Sequence, residues 1–219
     1  MQAAAAHAAK LRENFQRQQT LKNFENDEAR RTQLEELMRQ LDSATNELLL
    51  NADWATNLQI VDAINACSDQ QLIREFIRQL RKKLQSRNLQ TAALALTLTE
   101  ALVKNCGARL HREVATNKFM GQMEKLIRTH AGASGREALA VSDTALDLVH
   151  AWGEAFLPKR DEFPLFVETY HALKAAGMPF RSKQYDETRA PVFGPEATDD
   201  RPRRPSAATS GGGDGGGGG

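Results

Sequence analysis

The sequence predicts an all-α protein, and three observations predict it. Between about residue 42 and residue 181 the apolar residues recur at three- and four-residue spacing, and no stretch alternates as a strand would. The segment from Leu89 to Val103 is apolar on nearly every side, with threonines and Glu100 among the few exceptions, as a helix enclosed by others must be. The residues that start and stop helices, Asp and Ser at one end and Gly and Pro at the other, fall at the breaks between the periodic runs.

Taken in order, Ser43 is placed as an N-cap with Glu47 near the next turn, opening a short helix through Leu50. Asp53 caps a second helix in which Asn57, Ile60, Val61 and Ile64 share one stripe. Asp69 starts a third, with Leu72, Phe76, Ile77, Leu80 and Leu84 on its apolar face. The Leu89–Val103 helix is then the centre of the fold, and Gly107 stands where a C′ residue stops a helix. A short helix around Leu110 to Ala115 follows, then one near Phe119 to Arg128 that buries Phe119, Met123 and Ile127 or their neighbours, and Ala131 to Gly135 breaks the pattern.

The next helix is long. It carries Leu139, Ser142, Ala145, Leu146, Val149, Trp152 and Phe156 on one side and ends before Pro158. The last has Pro164 in its first turn, turns Phe166, Val167, Tyr170 and Leu173 inward, and stops at Gly177 and Pro179. Eight helices on short loops, one of them apolar all round, argue for a right-handed helical superhelix or an irregular bundle; no fixed-period repeat makes it a regular solenoid.

The two ends read differently. From residue 1 to 41 the apolar residues Leu11, Phe15, Leu21 and Phe24 are too sparse to specify a packed face, which predicts a flexible or loosely helical N-terminal extension. From residue 182 to 219, Pro191, Pro195, Pro202 and Pro205 interrupt the pattern and a glycine run ends the chain, predicting a disordered tail. That run has no Gly-Lys-Ser/Thr ending and no flanking strand, so it is read as a linker and not as a phosphate loop. The domain itself is expected to span residues 42–181.

Composition narrows the function. The 219 residues carry a formal net charge of +1, which gives no bulk attraction to nucleic acid. Cys67 and Cys106 lie far apart in apolar helical stretches and read as buried, reduced thiols. The chain has no apolar run of transmembrane length and no signal-peptide pattern, so a cytoplasmic protein that visits membranes peripherally is expected. His7, His111, His130, His150 and His171 stand in separate elements without a partnering Cys, Ser or acidic motif. Neither paired cysteines nor helically spaced histidines suggest zinc, so no enzyme, metal or cofactor is expected.

Two surface features remain. At 100° per residue, Trp54 and Leu58 project roughly 70 to 110° from the middle of the core stripe of their helix, on the side that carries Asp62 and Asn65. Two large apolar residues one turn apart on a helix shoulder either pack against a neighbouring helix or wait for a partner. On the third helix Arg74, Arg78, Arg81 and Lys82 lie opposite the apolar face, and Lys83 and Arg87 carry the charge on toward the next loop. Such a row is either a solvated face or a surface for anionic headgroups.

The segments DSATNELLLNADWATNLQIVDAIN, IRQLRKKLQSRN and LALTLTEALVKNCG, followed by a long helix ending HAWGEAF, resemble a VHS domain of the target-of-Myb-like kind, particularly the plant form, with Arg189–Pro195 resembling the segment that follows there. The resemblance covers about Asp42 to Gly194 and rests most on Asp53-Trp54 together with Lys104-Asn105-Cys106-Gly107. It implies an eight-helix superhelix, binding of ubiquitin or ubiquitinated cargo, and a part in endosomal sorting toward lysosome or vacuole, peripherally on endosomal or Golgi-derived membranes with other ESCRT and clathrin machinery. It also implies that Trp54 and Leu58 meet ubiquitin's apolar patch, with the fourth helix beside them. Family members associate with phosphoinositides, which would give the row from Arg74 to Arg87 a purpose. No GAT-like helices, acidic ubiquitin-interacting motif or leucine-based clathrin box follows, so the resemblance implies either a partial product or a module without the usual second ubiquitin-binding domain. Two other readings stand beside it: a phosphoinositide-dependent module like the ENTH superhelices, and a reader of acidic-dileucine sorting tails or, as in the similar CID superhelix, of polymerase tails.

Overall fold

The computed structural model describes residues 28–180, with Lys10 and Asn14. The expectations for Leu11, Phe15, Leu21 and Phe24, for His7, and for the tail with Arg189–Pro195 lie outside the described residues. The expected fold class is found: among the described residues there are eight α-helices and no strand. They are α1 (Glu28–Ala44), α2 (Trp54–Ala66), α3 (Gln70–Leu84), α4 (Leu89–Asn105), α5 (Ala108–Val114), α6 (Asn117–His130), α7 (Arg136–Ala155) and α8 (Pro164–Ala175), with a single 3-10 turn at Leu157–Lys159 between the last two.

The first helix corrects the sequence reading. Ser43 opens no helix; it sits exposed in the last turn of α1, and Thr45 ends that helix by returning both its N–H and its hydroxyl to the Leu41 carbonyl. Residues 45–53 are a loop. Leu34, Leu37, Met38 and Leu41 of α1 are almost completely buried, so the packed unit begins ahead of Asp42. Their spacing is helical, but taken with the sparse residues before them it is diluted below recognition.

α4 packs against α1, α2, α3, α5 and α7, which is why nearly its whole circumference is apolar. α2 and α3 begin at the expected caps. Asp53 accepts from the Thr56 N–H and hydroxyl, and Asp69 accepts from the N–H groups of Gln71 and Leu72. The stripe Asn57, Ile60, Val61, Ile64 and the face Leu72, Phe76, Ile77, Leu80, Leu84 are buried as their periods require. The inward residues assigned to α6 and α8 are buried too.

Two expectations fail on local geometry. Leu139 is 37% exposed, because the first turn of α7 reaches past its neighbours and packing starts only at Val141. Gly107 has φ −89 and ψ −168, ordinary extended backbone, and serves as the N-cap of α5 where a left-handed stop was expected. Among the described residues the left-handed glycines are Gly132 and Gly177, both at φ 74, just past α6 and α8.

The ends of α5, α7 and α8 meet in an aromatic cluster. Phe156 stacks on Phe166 at 4.4 Å, Trp152 lies 5.5 Å from Phe166, and His111 stands edge-on to Phe156 at 4.9 Å and Phe163 at 5.5 Å. The His111 Nε2–H donates to the Val103 carbonyl at 3.0 Å, fixing α5 to α4. Burial holds the imidazole below its ordinary pKa of 6.5, outweighing the carbonyl contact, which acts the other way. The unfolded chain therefore takes up a proton that the folded chain resists, and stability falls as pH drops through about 6.5, levelling off below the folded-state pKa. Urea midpoints should decline between pH 7.5 and 5.5, and His111→Phe should flatten that slope; an unchanged slope would remove His111 from this role.

Candidate functional site

α2 and α4 run parallel, tied at both ends. At the first end the Gln90 side-chain amide donates to the Leu49 carbonyl at 2.6 Å, just before α2, while Asn88 caps α4. At the other end the Asn65 side chain donates to the Asn105 carbonyl at 2.9 Å, and the Cys106 thiol lies against the Val61 carbonyl. Lys104-Asn105-Cys106-Gly107 is thus a seam between helices: Lys104 pairs with Glu100, Asn105 donates to the Ala101 carbonyl, Cys106 is buried, and Gly107 starts α5.

On this frame Trp54 is half-buried, packed against the core, and Leu58 is half-buried one turn on. Asp62 and Asn65 are exposed. Neither apolar side chain is enclosed: Trp54 packs against the core of its own fold and, like Leu58, keeps part of its surface in solvent. Asp53 holds the first turn of α2 in place, and its hydrogen bonds from Thr56 keep its carboxyl below the usual range. Such a cap contributes about 1 kcal/mol. Beside the pair runs the half-buried edge of α4, Gln90, Ala93 and Thr97, whose hydroxyl is already turned back to the Ala93 carbonyl.

The structure divides the basic row. Arg74 pairs with Glu113 at 3.1 Å, Arg78 with Glu75 at 2.7 Å, and Lys83 with Asp42 at 3.0 Å. Arg81, Lys82 and Arg87 complete it, and no ion pair is found for Arg81 or Arg87 among the described residues. Two of its members, Arg74 and Lys83, tie α3 to α5 and α1, and Arg81 and Arg87 lie toward the α3–α4 turn.

Sequence reasoning missed Leu48 and Leu50, which are 83% and 91% exposed in the α1–α2 loop. The signal was present: three consecutive leucines fit no amphipathic helix. Cys67 and Cys106 are both buried and free, and burial pushes the Cys106 thiol up to about 12. His130 and His171 lie apart on α6 and α8, and His150 bonds Glu154 one turn along its own helix at 3.0 Å. Among the described residues no helix is long and apolar enough to cross a membrane.

The eight helices wound about α4 form an all-α superhelix of a known domain family. The chain belongs to the VHS domain family, whose model matches residues 31–177. TOM1-like protein 6 of Arabidopsis thaliana is 33% identical over 165 residues, 75% of this chain and 23% of that protein. Target of Myb protein 1 of Dictyostelium discoideum is 37% identical over 153 residues, 70% of this chain and 21% of its own length. The chain therefore spans about a fifth of each of these relatives. The crystal structure of the VHS and FYVE tandem domains of Hrs, a protein involved in membrane trafficking and signal transduction, superposes with a TM-score of 0.58 at 28% identity, over 68% of this chain and 64% of that one.

Proposed function

We propose that this chain is a ubiquitin-binding adaptor module that gathers ubiquitinated membrane cargo at endosomes for delivery to lysosome or vacuole, acting by binding and making or breaking no covalent bond. The observation that carries the reading is the pair Trp54 and Leu58, half-open, one turn apart, on a helix whose first turn Asp53 holds rigid. A rigid apolar pair loses little entropy on docking, and Gln90, Ala93 and Thr97 stand half-buried on the helix packed against α2. The VHS membership and the trafficking role of Hrs support the same setting, peripheral to endosomal or Golgi-derived membranes, among ESCRT and clathrin components.

The site is small. Full burial of a side chain of this kind contributes about 1.5 to 3 kcal/mol, and both are already partly buried, so a dissociation constant of roughly 0.1 to 1 mM is expected. Titrating isotope-labelled protein with ubiquitin should shift resonances around Trp54, Leu58, Ala93 and Thr97. Trp54→Ala should weaken binding about tenfold. Its own stability loss is controlled by Leu58→Ser, which removes surface with less disturbance of the core. Shifts absent from this face, or unchanged by both variants, would end the proposal.

A further inference from the structure

The α1–α2 loop holds a feature that the Trp54–Leu58 pair does not use. Leu48 and Leu50 are the most exposed large apolar residues among those described, at 83% and 91%. A mobile loop could expose leucines incidentally, but this one is built. Leu48 N–H donates to the Asn46 side chain at 3.0 Å and Leu49 N–H to the Asn46 carbonyl at 3.0 Å. The Gln90 amide, reaching from α4, takes the carbonyls of Leu49 at 2.6 Å and Leu50 at 3.4 Å. The N–H groups of Leu48 and Leu49 and the carbonyls of Leu49 and Leu50 are thus bonded within the protein, which lowers the cost of taking this part of the loop out of water.

The surroundings suit a charged interface. Asn88 donates to Glu47 at 3.0 Å and so joins the loop to the α3–α4 turn, which carries the exposed Arg87, with Arg81 in the last turn of α3. The other charges at this end are Lys82, Lys83 and the carboxylates Asp42, Glu47 and Asp53. Asp42 is matched by Lys83, and Asp53 by the start of α2, so the charge left to act outward is positive.

We propose that the loop Thr45–Asp53 enters the interface of an anionic lipid bilayer, Leu48 and Leu50 reaching the acyl boundary while Arg81 and Arg87 meet the headgroups. Apolar insertion and basic attraction add, and neither alone holds a small domain on a membrane. A bilayer fits better than a second protein because the two leucines, 83% and 91% exposed, stand on a loop joined to the turn that carries Arg87, so that apolar and basic groups lie together.

The full chain should co-sediment with phosphatidylcholine–phosphatidylserine vesicles, more weakly with phosphatidylcholine alone, and less as salt rises. Leu48→Ser with Leu50→Ser should lower partition about tenfold or more, with the urea midpoint unchanged since both side chains are exposed. Arg87→Glu should lower it about tenfold by an independent route. Three outcomes overturn the proposal: no partition of the unaltered chain, partition undiminished in the double leucine variant, or loss of ubiquitin binding in that variant with vesicle binding intact, which assigns the loop to a protein interface. Ubiquitin binding that depends on Trp54 is read separately, so either idea can fail alone.

Discussion

Replacing Lys104 with methionine should remove about 3 kcal/mol of folding stability, a large share of what a domain of this size possesses. The Lys104 ammonium lies 2.9 Å from Glu100 on the most enclosed helix of the fold, and their side chains are only 14% and 6% exposed. Taking away the cation leaves a carboxylate in an apolar surround with little water to solvate it, and that orphaned charge outweighs the attraction lost. Combining Glu100→Leu with Lys104→Met should recover most of the stability, since the pair itself contributes little beyond cancelling its own desolvation. Urea denaturation of the single and double variants decides it; a Lys104→Met protein as stable as the parent would show that the pair is effectively solvated.

Gly153→Ala should cost about 3 kcal/mol, the upper end for overpacking by one methyl group. A β-carbon at this position would stand 2.5 Å from Cγ and 2.7 Å from Cδ1 of Tyr170 and closer still to its Cβ. Tyr170 has nowhere to go. Its ring stacks on His150 at 5.2 Å with 15° between planes, and Phe180 closes the edge at 5.1 Å. The added carbon must therefore push α7 and α8 apart, and the loss should appear as a lower urea midpoint with unchanged helical circular dichroism at low temperature. Tyr170→Ala in the same chain should make the two losses less than additive, because the smaller side chain admits the methyl group. Additive losses would place the strain elsewhere.

Neither residue could be ranked this way from sequence. Glu100 is visible as an odd charge in an apolar helix, and Lys104 as part of a motif, but only the coordinates put their charged ends together away from water. Gly153 stands in a long helical pattern where glycine ordinarily weakens the helix. The reason for it lies on α8. Pairs such as Asn65 with Asn105, or Gln90 with the leucine carbonyls, join residues some forty positions apart, which no local pattern reports.

The candidate site was half legible. Trp54 and Leu58 follow from helical angle alone, because Asn57, Ile60, Val61 and Ile64 set the inward direction and leave the shoulder to be computed. The basic row was legible as a row. Arg78 with Glu75 is a local pair, three residues apart, but that Arg74 is paired, while Arg81 and Arg87 find no acid among the described residues, required knowing that α5 brings Glu113 to α3. Leu48 and Leu50 were misplaced because Ser43 and Glu47 imitate a helix start, while the helix they interrupt begins earlier, at Glu28.

What the sequence determined by itself is the all-helical class, the inward faces of α2, α3, α6 and α8, and the caps at Asp53 and Asp69. Each depends on residues within a turn or two of one another, where the 3.6-residue period and the unpaired N–H groups of a first turn act directly. Tertiary structure alone decided where the packed unit begins, which cations keep free charge, and which leucines stay in water. Those outcomes depend on which distant helix arrives to cover a face, and burial is a property of the assembled neighbours, so no stretch of chain carries it alone.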